Sequence, residues 1–101
     1  MRSLYRNSTG ANNVAVGFEA LYSNASGSSN TAIGESALNY NTFGDANTAN
    51  GRRALFNNAT GSYNTANGYY ALYSNISGFN NTAVGYSALN SNTYGNSNTS
   101  I

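Results

Sequence analysis

The amino-acid sequence predicts an all-β protein that folds as a parallel β-solenoid, with 17 residues in each coil. Three observations predict this fold: an unbroken repeat, short apolar runs bounded by glycine and asparagine, and a composition poor in charge. Charged residues make up 7% of the chain, and it contains no proline. Disordered chains are typically rich in charge and proline, so the scarcity of both favours a folded array, as do the strict register of the repeat and the aromatic content.

The repeat is set by an asparagine that recurs every 17 residues. When each unit is numbered from that asparagine, six further positions are invariant in the five complete units: Ala at 3 and 8, Gly at 5 and 15, Leu at 9 and Asn at 12. No insertion interrupts the count, and a regular period of this kind is the signature of a repeat architecture. We therefore predict a single repeat array over residues 1–101, composed of a partial coil 1–12, complete coils 13–29, 30–46, 47–63, 64–80 and 81–97, and a partial coil 98–101.

The period is too short for helical repeats or propeller blades, which need about 33 residues or more. Within a unit, the runs typified by NTAVG and ALYS are separated by glycine and asparagine, which are typical turn residues. The pattern predicts two short strands and two turns per coil. Successive coils should stack about 4.8 Å apart through backbone hydrogen bonds.

The invariant columns predict the interior of the stack. Leucine at position 9 is the only large aliphatic constant, so it should form an inward core ladder of Leu21, Leu38, Leu55, Leu72 and Leu89. Glycine at position 5 should lie where φ is positive or where the next coil crowds the chain, which concerns Gly17, Gly34, Gly51, Gly68 and Gly85. The asparagines at positions 1 and 12 suit turns, and they can also hydrogen-bond their own images one coil away.

Position 4 predicts a contact with a second surface. It lies on the face of its strand opposite the inward alanine, and it is occupied by Val16, Ile33, Asn50, Asn67, Val84 and Ile101. Either a third side of the same coil or another chain must cover the aliphatic members, and we favour another chain. In that case Asn50 and Asn67 form a polar layer between chains that fixes their alignment, as a buried asparagine does in coiled coils.

The unit NTAIG–two residues–AL–two residues–NT–one residue–G resembles the repeats of phage and bacterial tail-fibre-domain proteins. It is also similar to the shorter repeats in the heads of trimeric autotransporter adhesins. The resemblance covers nearly the whole chain and implies a homotrimeric, left-handed parallel β-roll in a surface fibre. The unit is longer than that of the adhesin heads, and Asn50 and Asn67 replace the family's isoleucine or valine.

The sequence offers no constellation for catalysis. Its only acidic residues are Glu19, Glu35 and Asp45, and without histidine no serine has a base to activate it. With three scattered carboxylates and no cysteine, we also expect no metal site and no cofactor. A net charge of +1 disfavours nucleic acid as a partner, and no apolar run is long enough for membrane insertion.

The aromatic residues at positions 6 and 10 are the candidates for surface binding: Tyr22, Phe56, Tyr69, Tyr73 and Tyr86. Aromatic rings among Asn, Ser and Gly resemble adaptable binding loops. The simpler interpretation, which we favour, is that aligned rings on adjacent coils stack and stabilise the solenoid. At position 6 of neighbouring coils, Glu35 and Arg52 should form a surface ion pair.

Four Asn-X-Ser/Thr sequons fall at position 12, namely Asn7, Asn24, Asn58 and Asn75. In a secreted protein they would place glycans along one edge of the coils, although the abundance of Asn, Ser and Thr explains most of these matches by chance.

The leading functional interpretation is a structural and adhesive segment of an extracellular fibre, located at a cell surface or in a virion fibre. Its partners would be two further copies of the chain, together with a cell-surface glycan or matrix. The alternative is a self-assembling filament in which coils stack end to end, because solenoids normally carry caps that prevent this and none is evident here. Ice binding ranks third. Flat ranks of threonine can match an ice lattice, but the threonine column at position 2 forms only one rank, and Val14 interrupts it.

Overall fold

The computed structural model describes residues 2–101, so Met1, the first residue of the predicted partial coil 1–12, lies outside the described residues. One parallel sheet runs along the molecule, and its strands follow one another in chain order. The six strands are β1 (Val14–Val16), β2 (Thr31–Ile33), β3 (Thr48–Asn50), β4 (Thr65–Asn67), β5 (Thr82–Val84) and β6 (Thr99–Ser100). The all-β parallel solenoid is therefore confirmed.

Each strand pairs with its counterpart one full repeat later. Thr48 of β3 lies opposite Thr65 of β4, and Ala49 lies opposite Ala66, so equivalent residues form straight columns along the stack. The same register holds between every neighbouring pair of strands. This confirms the 17-residue spacing read from the sequence.

The prediction of two strands per coil is wrong, because the run typified by ALYS forms turns. In the third complete coil, Arg53 and Leu55 adopt left-handed backbone conformations with φ of 57° and 51°. An extended strand requires negative φ, so these two residues bend the chain around the core. The segment still contributes to stacking, since the Leu55 N–H donates to the Ala71 carbonyl at 3.0 Å and the Asn57 N–H donates to the Tyr73 carbonyl at 3.2 Å.

The apolar core is a narrow column inside the coils. In β1 to β5, the alanine in the middle of the strand points inward and packs against the alanine and leucine of positions 8 and 9. Four leucines of the ladder, Leu21, Leu38, Leu55 and Leu72, are fully buried, and Leu89 is partly buried against the same cluster. Burial of one leucine side chain stabilises a fold by about 1.5–3 kcal/mol, so the apolar contribution of each coil is small.

Gly51 lies where the backbone and the neighbouring coil both exclude a side chain. Its φ is +142°, and a Cβ there would lie 2.6 Å from the Gly68 carbonyl oxygen. Gly34 repeats this arrangement against Gly51, with φ of +124°. All glycines at position 5 have φ in the left-handed region, namely Gly17, Gly34, Gly51, Gly68 and Gly85. At Gly85, however, no described atom lies within 4 Å of an added Cβ.

We expect Gly51→Val to lower the free energy of unfolding by more than about 1 kcal/mol, because a β-branched side chain is strained at this φ and meets backbone of the next coil. Urea unfolding followed by circular dichroism measures the change. Thr48→Val is the matched control, since Thr48 is exposed and Val14 occupies the equivalent position in the first complete coil. A Gly51→Val stability within a few tenths of the wild type would contradict this account.

Candidate functional site

A ladder of buried asparagine side chains runs through the interior at position 12. The Asn58 Nδ2 donates to Asn41 Oδ1 at 2.7 Å and to the Gly61 carbonyl at 2.9 Å, while Asn75 Nδ2 donates to Asn58 Oδ1 at 2.8 Å. Each amide therefore joins its own turn to the preceding coil and accepts from the following one. The predicted ladder between images is confirmed.

The asparagine column at position 1 forms a second ladder of a different kind. Asn47 Oδ1 accepts from the backbone N–H of Asn64 at 3.0 Å, and Asn47 Nδ2 donates to the Gly61 carbonyl at 2.8 Å. The Gly61 carbonyl thus accepts from both Asn47 and Asn58 of its own coil. The same asparagine side chains stabilise the turns and connect neighbouring coils, so the turn interpretation and the ladder interpretation both hold.

The buried ladder is incompatible with glycans on the position-12 sequons Asn24, Asn58 and Asn75, whereas Asn7 is exposed. Asn24, Asn58 and Asn75 are fully buried. The Nδ2 atom that would carry the sugar donates in each case to a neighbouring asparagine and to a glycine carbonyl. Glycosylation at these three residues would break the hydrogen bonds and expel the side chains, so the folded stack does not accommodate a regular edge of glycans.

The outward face of the sheet, which we call the sheet face, carries positions 2 and 4 of each coil. Val16, Ile33 and Val84 are 54%, 42% and 36% exposed on it. Asn50 and Asn67 are exposed in the same column. No third side of the coil covers position 4, which removes one of the two alternatives. The inter-chain polar layer at Asn50 and Asn67 stays a prediction.

The threonine column lies beside position 4 on the sheet face. Thr48 and Thr65 are exposed and lie opposite each other in the register of the sheet. The threonines of the other strands lie opposite their neighbours in the same way. The adjacent column is aliphatic or asparagine, so the face presents one threonine rank and no second one.

The aromatic side chains stack between coils, as the simpler interpretation predicts. The rings of Phe56 and Tyr73 are parallel within 5° with centroids 5.3 Å apart, and those of Tyr69 and Tyr86 are parallel with centroids 5.2 Å apart. Tyr22 forms an equivalent pair with Tyr5. Among the surface binding candidates, Tyr86 is exposed and the other four are half-buried.

The predicted ion pair between Glu35 and Arg52 is confirmed. Arg52 Nε donates to Glu35 Oε2 at 3.0 Å, and Nη2 donates to Oε1 at 3.4 Å. The hydrogen bond from Arg52 lowers the pKa of Glu35, and the same bond raises the pKa of Arg52. The side chains of Arg52 and Glu35 are 40% and 45% exposed, so solvent screens the pair and it contributes little to stability.

Beside this ion pair lie Arg53 and Tyr70, two residues that the sequence analysis did not single out. Arg53 Nη1 donates to the Tyr70 hydroxyl at 3.1 Å, and Arg52 Nη1 donates to the Tyr69 hydroxyl at 3.0 Å. Hydrogen bonds from Tyr69 and then Arg53 lower the pKa of Tyr70, whereas the bond to Tyr70 raises that of Tyr69. The signal in the sequence was a pair of arginines one repeat before a pair of tyrosines.

Within residues 2–101, no pocket opens on the surface and no group of three or more His, Cys, Asp or Glu side chains could hold a metal ion. The described chain also contains no helix long and apolar enough to cross a membrane. Comparison with known protein families, curated proteins and solved structures finds no match.

We expect Asn58→Ala to lower the free energy of unfolding by about 2–4 kcal/mol. The substitution leaves Asn41 Oδ1 and Asn75 Nδ2 each without one buried partner, and an unpaired buried polar group costs about 1–3 kcal/mol. Chemical denaturation measures the loss. Asn57→Ala, next in the chain, removes one partly buried bond to the Tyr73 carbonyl and should cost less than about 1 kcal/mol. Equal losses in the two variants would show that the ladder has no special role.

Proposed function

We propose that this chain is a non-catalytic structural segment of an extracellular fibre, in which three copies pack against one another through their sheet faces. The observation that carries the proposal is the exposed position-4 column of Val16, Ile33 and Val84. Aliphatic side chains aligned on a regular sheet lose contact with water when a matching surface covers them, and that burial stabilises an assembly.

The uniform stack supports a mechanical role. Every coil pairs with the next in the same register, and each strand contacts only its immediate neighbours. Such repeat proteins grow in one dimension, so the number of repeats sets the length of the rod at about 4.8 Å per coil. A fibre segment needs this combination of a constant cross-section and an adjustable length.

The two asparagines of the position-4 column support a symmetric assembly of identical chains. Asn50 and Asn67 lie in adjacent strands, between the aliphatic Ile33 and Val84. Covered by an unrelated apolar surface, their amides would be left without partners, at a cost of about 1–3 kcal/mol for each unpaired group. Copies of the same chain in register bring asparagine opposite asparagine, where the amides can donate to and accept from one another.

The expected solution mass is about three times the 10.6 kDa of one chain, measured by light scattering after size-exclusion chromatography. The variant Val16→Asn/Ile33→Asn/Val84→Asn should elute as a monomer with an unchanged circular dichroism spectrum, because these side chains lie outside the core of the single chain. Ile76→Asn is the matched control, since Ile76 is 37% exposed and lies outside the strands, and it should remain trimeric.

The double variant Asn50→Val/Asn67→Val tests whether the two asparagines fix the alignment of the chains or only strengthen their association. We expect it to keep or raise stability while losing a single defined mass, because the polar layer that fixes register is gone. A monomeric wild type would contradict the trimer, and open-ended growth would favour the filament instead. One defined trimer in the double variant would show that the asparagines do not set alignment.

A further inference from the structure

One surface of the chain is not used by the proposed assembly. It combines two guanidinium groups with four aromatic rings from coils 47–63 and 64–80, and we call it the arginine–tyrosine patch: Arg52, Arg53, Phe56, Tyr69, Tyr70 and Tyr73. All six residues are half-buried, so their side chains are held in place by neighbours while part of each remains open to solvent.

The patch carries a positive charge that its own residues do not neutralise. Arg52 is paired with Glu35, whereas Arg53 forms no ion pair in the described part of the chain. The Arg53 Nη1 atom bonds to a phenol hydroxyl, and its Nε atom is buried with no hydrogen-bond partner. A guanidinium has five N–H donors suited to a carboxylate or a sulfate, and Arg53 retains for such a group the donors on Nη2, which form no hydrogen bond within the described residues.

The rings beside Arg53 do not form a closed stack. Tyr70 is tilted by 33° to Tyr69 and by 48° to Tyr73, with centroids 4.2 and 4.9 Å away. The Arg53 guanidinium lies 5.6 Å from the centroid of Phe56 and 6.0 Å from that of Tyr70, so charge and aromatic surface are adjacent.

We propose that the arginine–tyrosine patch binds an anionic polysaccharide, with an acidic group of the sugar at Arg53 and sugar rings packed against Phe56, Tyr70 and Tyr73. Sugar rings present C–H groups that pack on aromatic side chains and hydroxyls that bond to phenols. One pyranose ring is comparable in length to the rise of a coil, about 4.8 Å, so consecutive sugars can follow consecutive coils.

All the residues of the patch belong to one chain, so this inference does not depend on the trimer. A nucleic acid is disfavoured because its affinity comes from several neutralised phosphates, whereas the patch has one uncompensated charge. A uronic-acid polymer and a sulfated polymer share the chemistry that the patch recognises, and the experiment separates them.

The test measures binding of the full chain to immobilised polygalacturonate and heparin at low ionic strength, with neutral dextran and polyglutamate as controls. We expect binding to at least one anionic polysaccharide and none to dextran. Arg53→Gln should weaken that binding about tenfold or more, because it removes a charge-assisted hydrogen bond. Tyr70→Phe, which removes only a hydroxyl, should weaken it by a smaller factor while leaving the aromatic ring in place.

Arg6→Gln is the matched control, because Arg6 is exposed beside the Tyr22 ring and its loss changes the net charge by the same amount. It should change the affinity less than twofold, and circular dichroism should show that all variants are folded. Binding of polygalacturonate alone or heparin alone supports the proposal and identifies the acidic group. Equal weakening by Arg6→Gln and Arg53→Gln, equal binding of polyglutamate, or no binding of either polysaccharide would overturn it.

Discussion

The asparagine ladders inside the coils are the interaction on which the rest of this structure depends. Each of the three central complete coils fully buries only one leucine and two alanines in its apolar core. The rest of the interior contains polar groups, which must be paired. The position-12 amides meet that requirement by bonding to their own images, and those of position 1 by bonding to the backbone N–H of theirs. In a low-dielectric interior such bonds are strong, and an unpaired amide is costly.

The ladders account for several features of the repeat. A side chain can bond to its own image in every coil only if the spacing is constant, so an insertion inside a unit would place a different residue beside the asparagine. The same constraint explains glycine at position 15. A Cβ at Gly61 would lie 2.4 Å from both Asn58 Oδ1 and the Gly78 carbonyl oxygen, so any side chain there would collide with the ladder and with the next coil.

The leucine column shows how the chain turns within a coil of only 17 residues. Leu38, Leu55 and Leu72 have φ of 51°, a left-handed conformation that is unfavourable for residues other than glycine. The chain turns sharply at position 9, where the leucine side chain enters the core. Complete burial of these side chains offsets the backbone strain.

Much of this fold could be predicted from the sequence because the repeat gives the register directly. Equivalent residues must stack in a parallel array, and the ion pair between Glu35 and Arg52 follows from their shared position in adjacent coils. The second strand was predicted wrongly because the sequence does not show that Arg53 and Leu55 adopt positive φ. The contact between Arg53 and Tyr70 was missed because the direction of a side chain at a left-handed position depends on that same backbone turn. The assembly and the ligand stay proposals, since they involve molecules beyond the single chain.

Hydrogen exchange of the asparagine side-chain amides, resolved by nuclear magnetic resonance, tests the central claim most directly. If the ladders hold the coils together, the Nδ2 protons of Asn41, Asn58 and Asn75 should exchange as slowly as the backbone amides of the central strands. The Nδ2 protons of Asn12 and Asn80, whose side chains are exposed, should exchange rapidly. Rapid exchange at Asn41, Asn58 and Asn75 beside protected strand amides would contradict the account, because the stack would then be stable without its polar interior.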